Sequence, residues 1–109
     1  QDTREPQAIF DSLPNTINTP ELQIRFAEGE HFAAIERLVA AADFPDAKLT
    51  TIDGLRADFN DGFGLVRASN TTPVLVLRFE GDDEAALQRI QQQFRELIER
   101  VVPDAELPF

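Results

Sequence analysis

The sequence predicts an α+β domain in which two main helices pack on one face of an antiparallel sheet. Three observations support this fold class. Several short segments alternate apolar and polar residues at the period of a strand, turn pairs such as Asp53-Gly54 and Asp61-Gly62 separate them, and two longer segments repeat apolar residues at helical spacing. A chain of 109 residues with 42% hydrophobic content fits one domain with one modest core.

The first part of the chain predicts a linker and a strand. Residues 1–19 contain two prolines and a short apolar cluster, which indicates a short helix followed by a turn-rich linker segment. In residues 21–27, Leu22, Ile24 and Phe26 alternate with polar residues, as in a half-buried strand that ends before Gly29. We therefore place the folded domain at residues 20–109.

A helix and a strand meander follow. Residues 31–42 are rich in alanine and predict a helix with one buried stripe, formed by Phe32, Ile35, Val39 and Ala42. Pro45 lies in the segment that ends it. Residues 49–52, 55–59 and 63–68 then predict three short strands.

The last two elements are an inner strand and a long helix. Residues 74–79 are apolar at almost every position apart from Arg78, as expected for a strand covered by helices. Acidic residues 82–84 precede a helix that ends before Pro103, where they favour its positive end. The buried stripe of this helix is predicted to comprise Leu87, Ile90, Phe94, Leu97 and Val101.

Composition excludes several classes of function. With 20 acidic and 10 basic residues the net charge is −10, which argues against binding to nucleic acid or to a membrane surface. There is no cysteine, no apolar run long enough to span a bilayer and no signal peptide, so we expect a soluble, cytoplasmic protein. The start at Gln1 and the lack of methionine indicate a piece of a longer chain.

The most informative segment is the run of residues 64–73, GLVRASNTTP, between two predicted strands. Side chains two apart in a strand share a face, so Arg67 and Ser69 are expected to point the same way as Leu65. The hydroxyl, amide and backbone N–H groups of Ser69, Asn70, Thr71 and Thr72 can converge on an anion, and a guanidinium provides a planar fork for phosphate. The residues alone also fit an ordinary polar turn beside a solvated arginine.

The longer stretch GLVRASNTTPVLVLRFE resembles the substrate phosphate-binding loop of the α-D-phosphohexomutase superfamily. Its Arg-Ala-Ser-Asn-Thr-Thr-Pro form is similar to the phosphomannomutase/phosphoglucomutase branch of bacteria. Four flanking pieces also resemble the C-terminal domain of that branch, so the likeness covers residues 20–109. They are Pro20-Glu21 leading into a strand, Thr51-Ile52-Asp53-Gly54, the Gly62-Phe63-Gly64 entry and the closing Pro108-Phe109.

The resemblance implies a TATA-box-binding-protein-like fold and a substrate phosphate-binding role for Arg67, Ser69, Asn70, Thr71 and Thr72. It implies a parent enzyme that interconverts the 1- and 6-phosphates of mannose or glucose through a bisphosphorylated sugar, with a phosphoserine and magnesium. Neither a phosphoserine motif nor an aspartate-rich metal loop occurs in the chain. We therefore expect no catalytic residue, metal or cofactor in this domain, which would act with the N-terminal domains of the same enzyme.

Two alternatives remain open from the sequence: a stand-alone α+β small-molecule-binding or regulatory module, and a structural or protein-interaction domain in which the loop is only a turn. The single histidine, His31, is interpreted as an exposed or partly buried structural residue without a catalytic partner. Residues 58–62 lack the ligand spacing of a calcium loop. The facing of Arg56 and Arg78 cannot be fixed from sequence, so both are left out of the predicted site.

Overall fold

A computed structural model describes residues 16–109. Six strands and two helices follow one another along the chain, and their bounds are β1 Ile17–Asn18, β2 Leu22–Arg25, α1 Glu30–Ala41, β3 Lys48–Thr50, β4 Leu55–Phe59, β5 Gly62–Ala68, β6 Val74–Gly81 and α2 Glu84–Val101. The order of elements and the α+β class agree with the prediction.

All six strands join one antiparallel sheet. Strands β3 to β6 form a meander, and α1 carries the chain from β2 at one side of the sheet to β3 at the far edge. Strands β1 and β2 both pair with β6, β1 near its end and β2 near its start. The β5–β6 turn, which holds the polar run, therefore lies beside the end of β2.

Both helices pack on the same face of the sheet. Phe94 of α2 lies so close to Gly64 of β5 that a side chain at Gly64 would overlap the ring, which fixes the covered face. Ala57 on β4 and Leu38 on α1 belong to the same buried core. The predicted antiparallel sheet with two helices on one face is confirmed.

Helix α2 follows the sequence prediction closely. Asp83 caps its N-terminus, because one carboxylate oxygen accepts a hydrogen bond of 2.8 Å from the backbone N–H of Ala86. Four of the five residues of the predicted stripe are buried, and Val101 is partly buried against the core. The ring of Phe94 stacks on Phe44 and meets the edge of Phe79, so α2 carries the centre of the core.

The predicted buried stripe of α1 was right for three of its four residues, because Ile35, Val39 and Ala42 are partly buried against the core. The buried residues of α1 are His31, Ala34 and Leu38, whereas Phe32 is 44% exposed. The prediction gave most weight to bulky residues, but the small Ala34 lets the helix approach its neighbours closely, so the most deeply buried side of α1 carries His31, Ala34 and Leu38. His31 is only 3% exposed, so the expected exposed or partly buried histidine is in fact buried.

Smaller differences concern the ends of elements. Ile52 was expected to end a strand, but it lies in the turn between β3 and β4 and is 93% exposed. Of the expected linker, residues 1–15 with their short helix lie outside the described residues, whereas Ile17 and Asn18 pair with β6. Across residues 16–109, neither helix has the length and apolar character needed to cross a membrane.

Candidate phosphate-binding site

The polar run forms a compact turn between β5 and β6. The Ser69 N–H donates a hydrogen bond of 3.0 Å to the Val74 carbonyl, which extends the ladder by one step beyond β5. The Val74 N–H in turn donates to the Thr72 carbonyl at 2.7 Å. The four residues of the turn are thus held at both ends by main-chain bonds.

The Ser69 hydroxyl is the centre of this turn. Its oxygen accepts hydrogen bonds of 3.3 Å from the backbone N–H groups of both Thr71 and Thr72. The Oγ1 atom of Thr71 lies 3.4 Å from Ser69 Oγ and 3.5 Å from Thr72 Oγ1. Three hydroxyls and two amide donors therefore lie in one small region, as the sequence predicted for Ser69, Thr71 and Thr72.

Three backbone carbonyls of the turn, those of Ser69, Thr72 and Pro73, have hydrogen-bond partners in the protein. The Phe26 N–H donates to the Pro73 carbonyl at 2.8 Å, and Nε2 of His31 lies 3.0 Å from the Ser69 carbonyl oxygen. Together with the bond to Thr72, these contacts occupy three acceptors of the segment. Within residues 16–109, the N–H groups of Ser69, Thr71 and Thr72 are bonded inside the turn, so the three hydroxyls and the Asn70 N–H are the donors left for a ligand.

Asn70 stands apart from the hydroxyl cluster. It is exposed at the tip of the turn, and within residues 16–109 its side chain makes no hydrogen bond. Its amide is available to a ligand, but the structure does not bring it against the other predicted side chains.

Arg67 projects from the sheet face opposite the helices. In β5, Gly64 and Val66 face the helices, so the alternation of a strand places Leu65 and Arg67 together on the open face, as predicted. The guanidinium of Arg67 has no hydrogen bond or ion pair to any of residues 16–109. Arg67 is half-buried by its neighbours, and its charge has no partner among those residues.

Strand register shows which charges share this face with Arg67. Leu65 is opposite both Arg56 and Arg78, while Arg25 is opposite Val74. Every charged strand residue lies on the open face, and the set is Arg25, Lys48, Arg56, Arg67 and Arg78 with Asp58 and Glu80. Five cations against two carboxylates make this face positive although the chain carries −10.

The neighbouring arginines differ in their engagement. Arg56 makes an ion pair of 3.0 Å with Asp58, and its guanidinium carbon lies 4.3 Å from the centre of the Phe63 ring. Arg78 is exposed and, like Arg67, makes no ion pair with the described part of the chain. The structure thus answers the question left open about Arg56 and Arg78: both share the face of Arg67, and Arg56 is already paired.

Two residues that support the loop were missed by sequence reasoning. Gly54 has φ +96°, and a Cβ atom there would lie 2.4 Å from the Val66 carbonyl oxygen and 2.9 Å from Cα of Arg67. The Asp53-Gly54 pair signals a positive φ, but no sequence signal reveals its contact with β5. His31 contacts Ser69 across 38 residues of sequence, and no local pattern could have indicated that contact.

Other polar features lie away from the loop. Arg89 donates a hydrogen bond of 2.5 Å to Asp61, and this bond lowers the pKa of Asp61 against the opposing effect of desolvation. The pair lies at the opposite end of β5 and is largely exposed.

A groove of about 740 Å³ lies between α1 and residues 101–105, and none of the five predicted phosphate-binding residues lines it. Within residues 16–109, no group of three or more His, Asp or Glu is arranged to hold a metal ion.

Comparison with known proteins identifies the family. The model of the phosphoglucomutase/phosphomannomutase C-terminal domain matches residues 21–97. A phosphomannomutase/phosphoglucomutase of Pseudomonas syringae pv. tomato is 50% identical over 109 residues, which is 100% of this chain and 23% of that protein. A phosphoglucomutase of Neisseria gonorrhoeae is 55% identical over 96 residues, which is 86% of this chain and 21% of that protein.

A solved structure gives the same result. The crystal structure of a phosphoglucomutase/phosphomannomutase family protein from Burkholderia thailandensis superposes with a TM-score of 0.78 at 51% identity, covering 89% of this chain and 20% of that one. This chain therefore spans between a fifth and a quarter of the length of the relatives it matches. It belongs to the phosphoglucomutase/phosphomannomutase family and corresponds to its C-terminal domain.

Proposed function

We propose that residues 20–109 bind the phosphate group of the substrate in a mutase that interconverts the 1- and 6-phosphates of mannose or glucose through a bisphosphorylated sugar. One observation carries the proposal. The β5–β6 turn gathers the hydroxyls of Ser69, Thr71 and Thr72, the Asn70 N–H makes no hydrogen bond within residues 16–109, and the unpaired Arg67 lies on the adjoining positive sheet face.

These groups suit a phosphate monoester. Its oxygens accept several hydrogen bonds and carry close to two negative charges, so a guanidinium fork together with short hydroxyl side chains satisfies both needs. We assign this role to Arg67, Ser69, Asn70, Thr71 and Thr72. The assignment concerns the phosphate group alone, and none of these five residues is assigned to the sugar ring.

The role of the domain is positioning rather than chemistry. Holding the phosphate that is not being transferred fixes the sugar relative to the reacting group, which lowers the entropic part of the barrier. The phosphoserine and the magnesium ion of the parent enzyme belong to its N-terminal domains in this proposal, since residues 16–109 offer no arrangement of ligands for a metal. Those domains and cytoplasmic sugar phosphates are the partners of this chain.

The exposed position of the loop fits a domain that closes over its ligand. Asn70, Thr71 and Thr72 are exposed, so a phosphate bound there would be covered on one side only. Docking of the remaining domains would complete the enclosure and exclude water. A stand-alone binding module is less well supported, because the chain spans only 23% of the Pseudomonas relative.

Three proteins test the proposed function: the complete protein, the complete protein without residues 20–109, and this chain alone. We expect conversion of glucose 1-phosphate or mannose 1-phosphate to the 6-phosphate only by the complete protein, measured by a coupled dehydrogenase assay. The other two should show no turnover above background. Full activity and unchanged KM without residues 20–109 would contradict a substrate-binding role for this domain.

A further inference from the structure

We propose that His31 is a positioning residue that holds the Ser69 carbonyl inward and thereby directs the Asn70 N–H towards the bound phosphate. This inference rests on the proposed function and extends it to a residue outside the loop. His31 is the second residue of α1 and reaches the loop from the helix-covered side of the sheet.

The contact requires a proton on Nε2 of the imidazole ring. A carbonyl oxygen only accepts hydrogen bonds, so Nε2 of His31 must donate to Ser69 over the 3.0 Å between them. In the neutral ring Nδ1 then carries the lone pair. Nδ1 is buried and has no hydrogen-bond partner within residues 16–109.

Packing alone does not account for a histidine at this position. A buried nitrogen without a partner destabilises the folded state, and an apolar side chain would fill the same space without that cost. What the imidazole adds is the bond to Ser69. The Phe32 ring, with its centre 4.0 Å from that of His31, restricts the rotation of the imidazole and keeps Nε2 directed at the loop.

Peptide geometry transmits this bond to the anion side of the loop. The Ser69 carbonyl and the Asn70 N–H belong to one planar trans peptide, so they point in opposite directions. Since the carbonyl points to His31 beneath the loop, the Asn70 N–H points away from α1. That direction leads to the exposed side of the turn, where the proposed phosphate binds.

Releasing the carbonyl would reverse this arrangement. The Ser69–Asn70 peptide would then be free to rotate, bringing a carbonyl oxygen where the N–H had been. The same rotation would disturb Ser69 Oγ, which accepts hydrogen bonds from the Thr71 and Thr72 amides. His31 thus controls a donor at Asn70 and the position of the central hydroxyl without touching the ligand.

Substitutions of different length and polarity in the complete enzyme test this role. His31→Gln places an amide donor near the position of Nε2, His31→Asn is polar but too short, and His31→Leu fills the space without a donor. We expect kcat/KM for glucose 1-phosphate to fall about five- to tenfold in His31→Leu and His31→Asn, mainly through KM, and to stay within about threefold of wild type in His31→Gln. The loss of one neutral hydrogen bond sets this scale.

The comparison separates positioning from stability. Thermal unfolding is measured for each variant. We expect the KM of His31→Gln to be closer to wild type than that of His31→Asn, even where the two variants are equally stable. If His31→Leu does not fold, the comparison of KM between His31→Gln and His31→Asn tests the inference. Equal KM in folded Gln and Asn variants, or wild-type KM in a folded His31→Leu, would overturn the inference. Arg67→Ala measured in parallel distinguishes the two proposals. Unchanged kinetics in Arg67→Ala would contradict the phosphate site itself. A lower kcat/KM in Arg67→Ala together with wild-type kinetics in the His31 variants would contradict only the role of His31.

Discussion

Replacing Arg67 by alanine in the complete enzyme should lower kcat/KM for glucose 1-phosphate by about 30- to 700-fold, which corresponds to a loss of about 2 to 4 kcal/mol of transition-state stabilisation. The Arg67 guanidinium makes no hydrogen bond or ion pair within residues 16–109 and lies on the positive face of the sheet. A charge-assisted contact to a phosphate dianion is lost when it is removed. Steady-state kinetics with a thermal unfolding curve for each variant measures the effect.

Arg56→Ala is the matched control. It removes the same charge from the same sheet face, but Arg56 is engaged with Asp58 and Phe63. We expect a change in kcat/KM below about threefold, because an exposed ion pair contributes at most about 1 kcal/mol and the residue does not belong to the loop. The kcat/KM of Arg67→Lys should lie between those of Arg56→Ala and Arg67→Ala, because lysine keeps the positive charge but lacks the planar guanidinium that makes two hydrogen bonds to a phosphate. Equal losses in Arg56→Ala and Arg67→Ala would mean that general electrostatics, rather than a specific contact, explains the result.

Gly54→Ala is expected to have the largest effect on stability. The residue has φ +96°, and an added Cβ would lie 2.4 Å from the Val66 carbonyl oxygen. Backbone strain and the overlap together should lower the free energy of unfolding by about 2 to 5 kcal/mol and the Tm by about 10 °C or more. The displaced segment of β5 includes Arg67, so phosphate affinity of the folded variant should also fall.

Gly29→Ala separates strain from overlap. Gly29 has φ +83°, but a Cβ there would meet nothing within 4 Å. We expect a loss of about 1 to 2 kcal/mol from strain alone and an unchanged affinity for glucose 1-phosphate. Thermal unfolding and ligand titration of both variants make the comparison. A Gly54→Ala protein as stable as Gly29→Ala would show that β4 and β5 do not approach as closely as the structure indicates.

The strands and α2 could be predicted from sequence because their patterns are local. Alternation from Leu55 to Phe59, the turn pairs and the stripe of α2 each depend on residues within a few positions of one another. The helix α1 was harder, since its buried stripe depends on what lies opposite. The small Ala34 faces the core and Phe32 does not, and only the packed structure decides between them.

In the candidate site, too, the local features could be predicted from sequence and the long-range contacts could not. The polar run of residues 69–72 and its arginine are contiguous, and the resemblance to a known loop made them identifiable. The support of that loop is not contiguous. Gly54 lies against Arg67 from the turn that precedes β4, and His31 reaches Ser69 from α1, so both contacts depend on the fold. The facing of Arg56 and Arg78 likewise required the strand register.

The central claim, that the β5–β6 turn binds phosphate, is tested most directly by amide-resolved NMR of this chain during titration with glucose 1-phosphate. Inorganic phosphate and unphosphorylated glucose serve as ligand controls, and Arg67→Ala as the protein control. We predict that the amides from Gly64 to Thr72, above all that of Asn70, shift with both phosphates, do not shift with glucose, and shift much less in Arg67→Ala. Identical spectra with and without tens of millimolar glucose 1-phosphate, or equal shifts with glucose, would contradict a phosphate site formed by this loop.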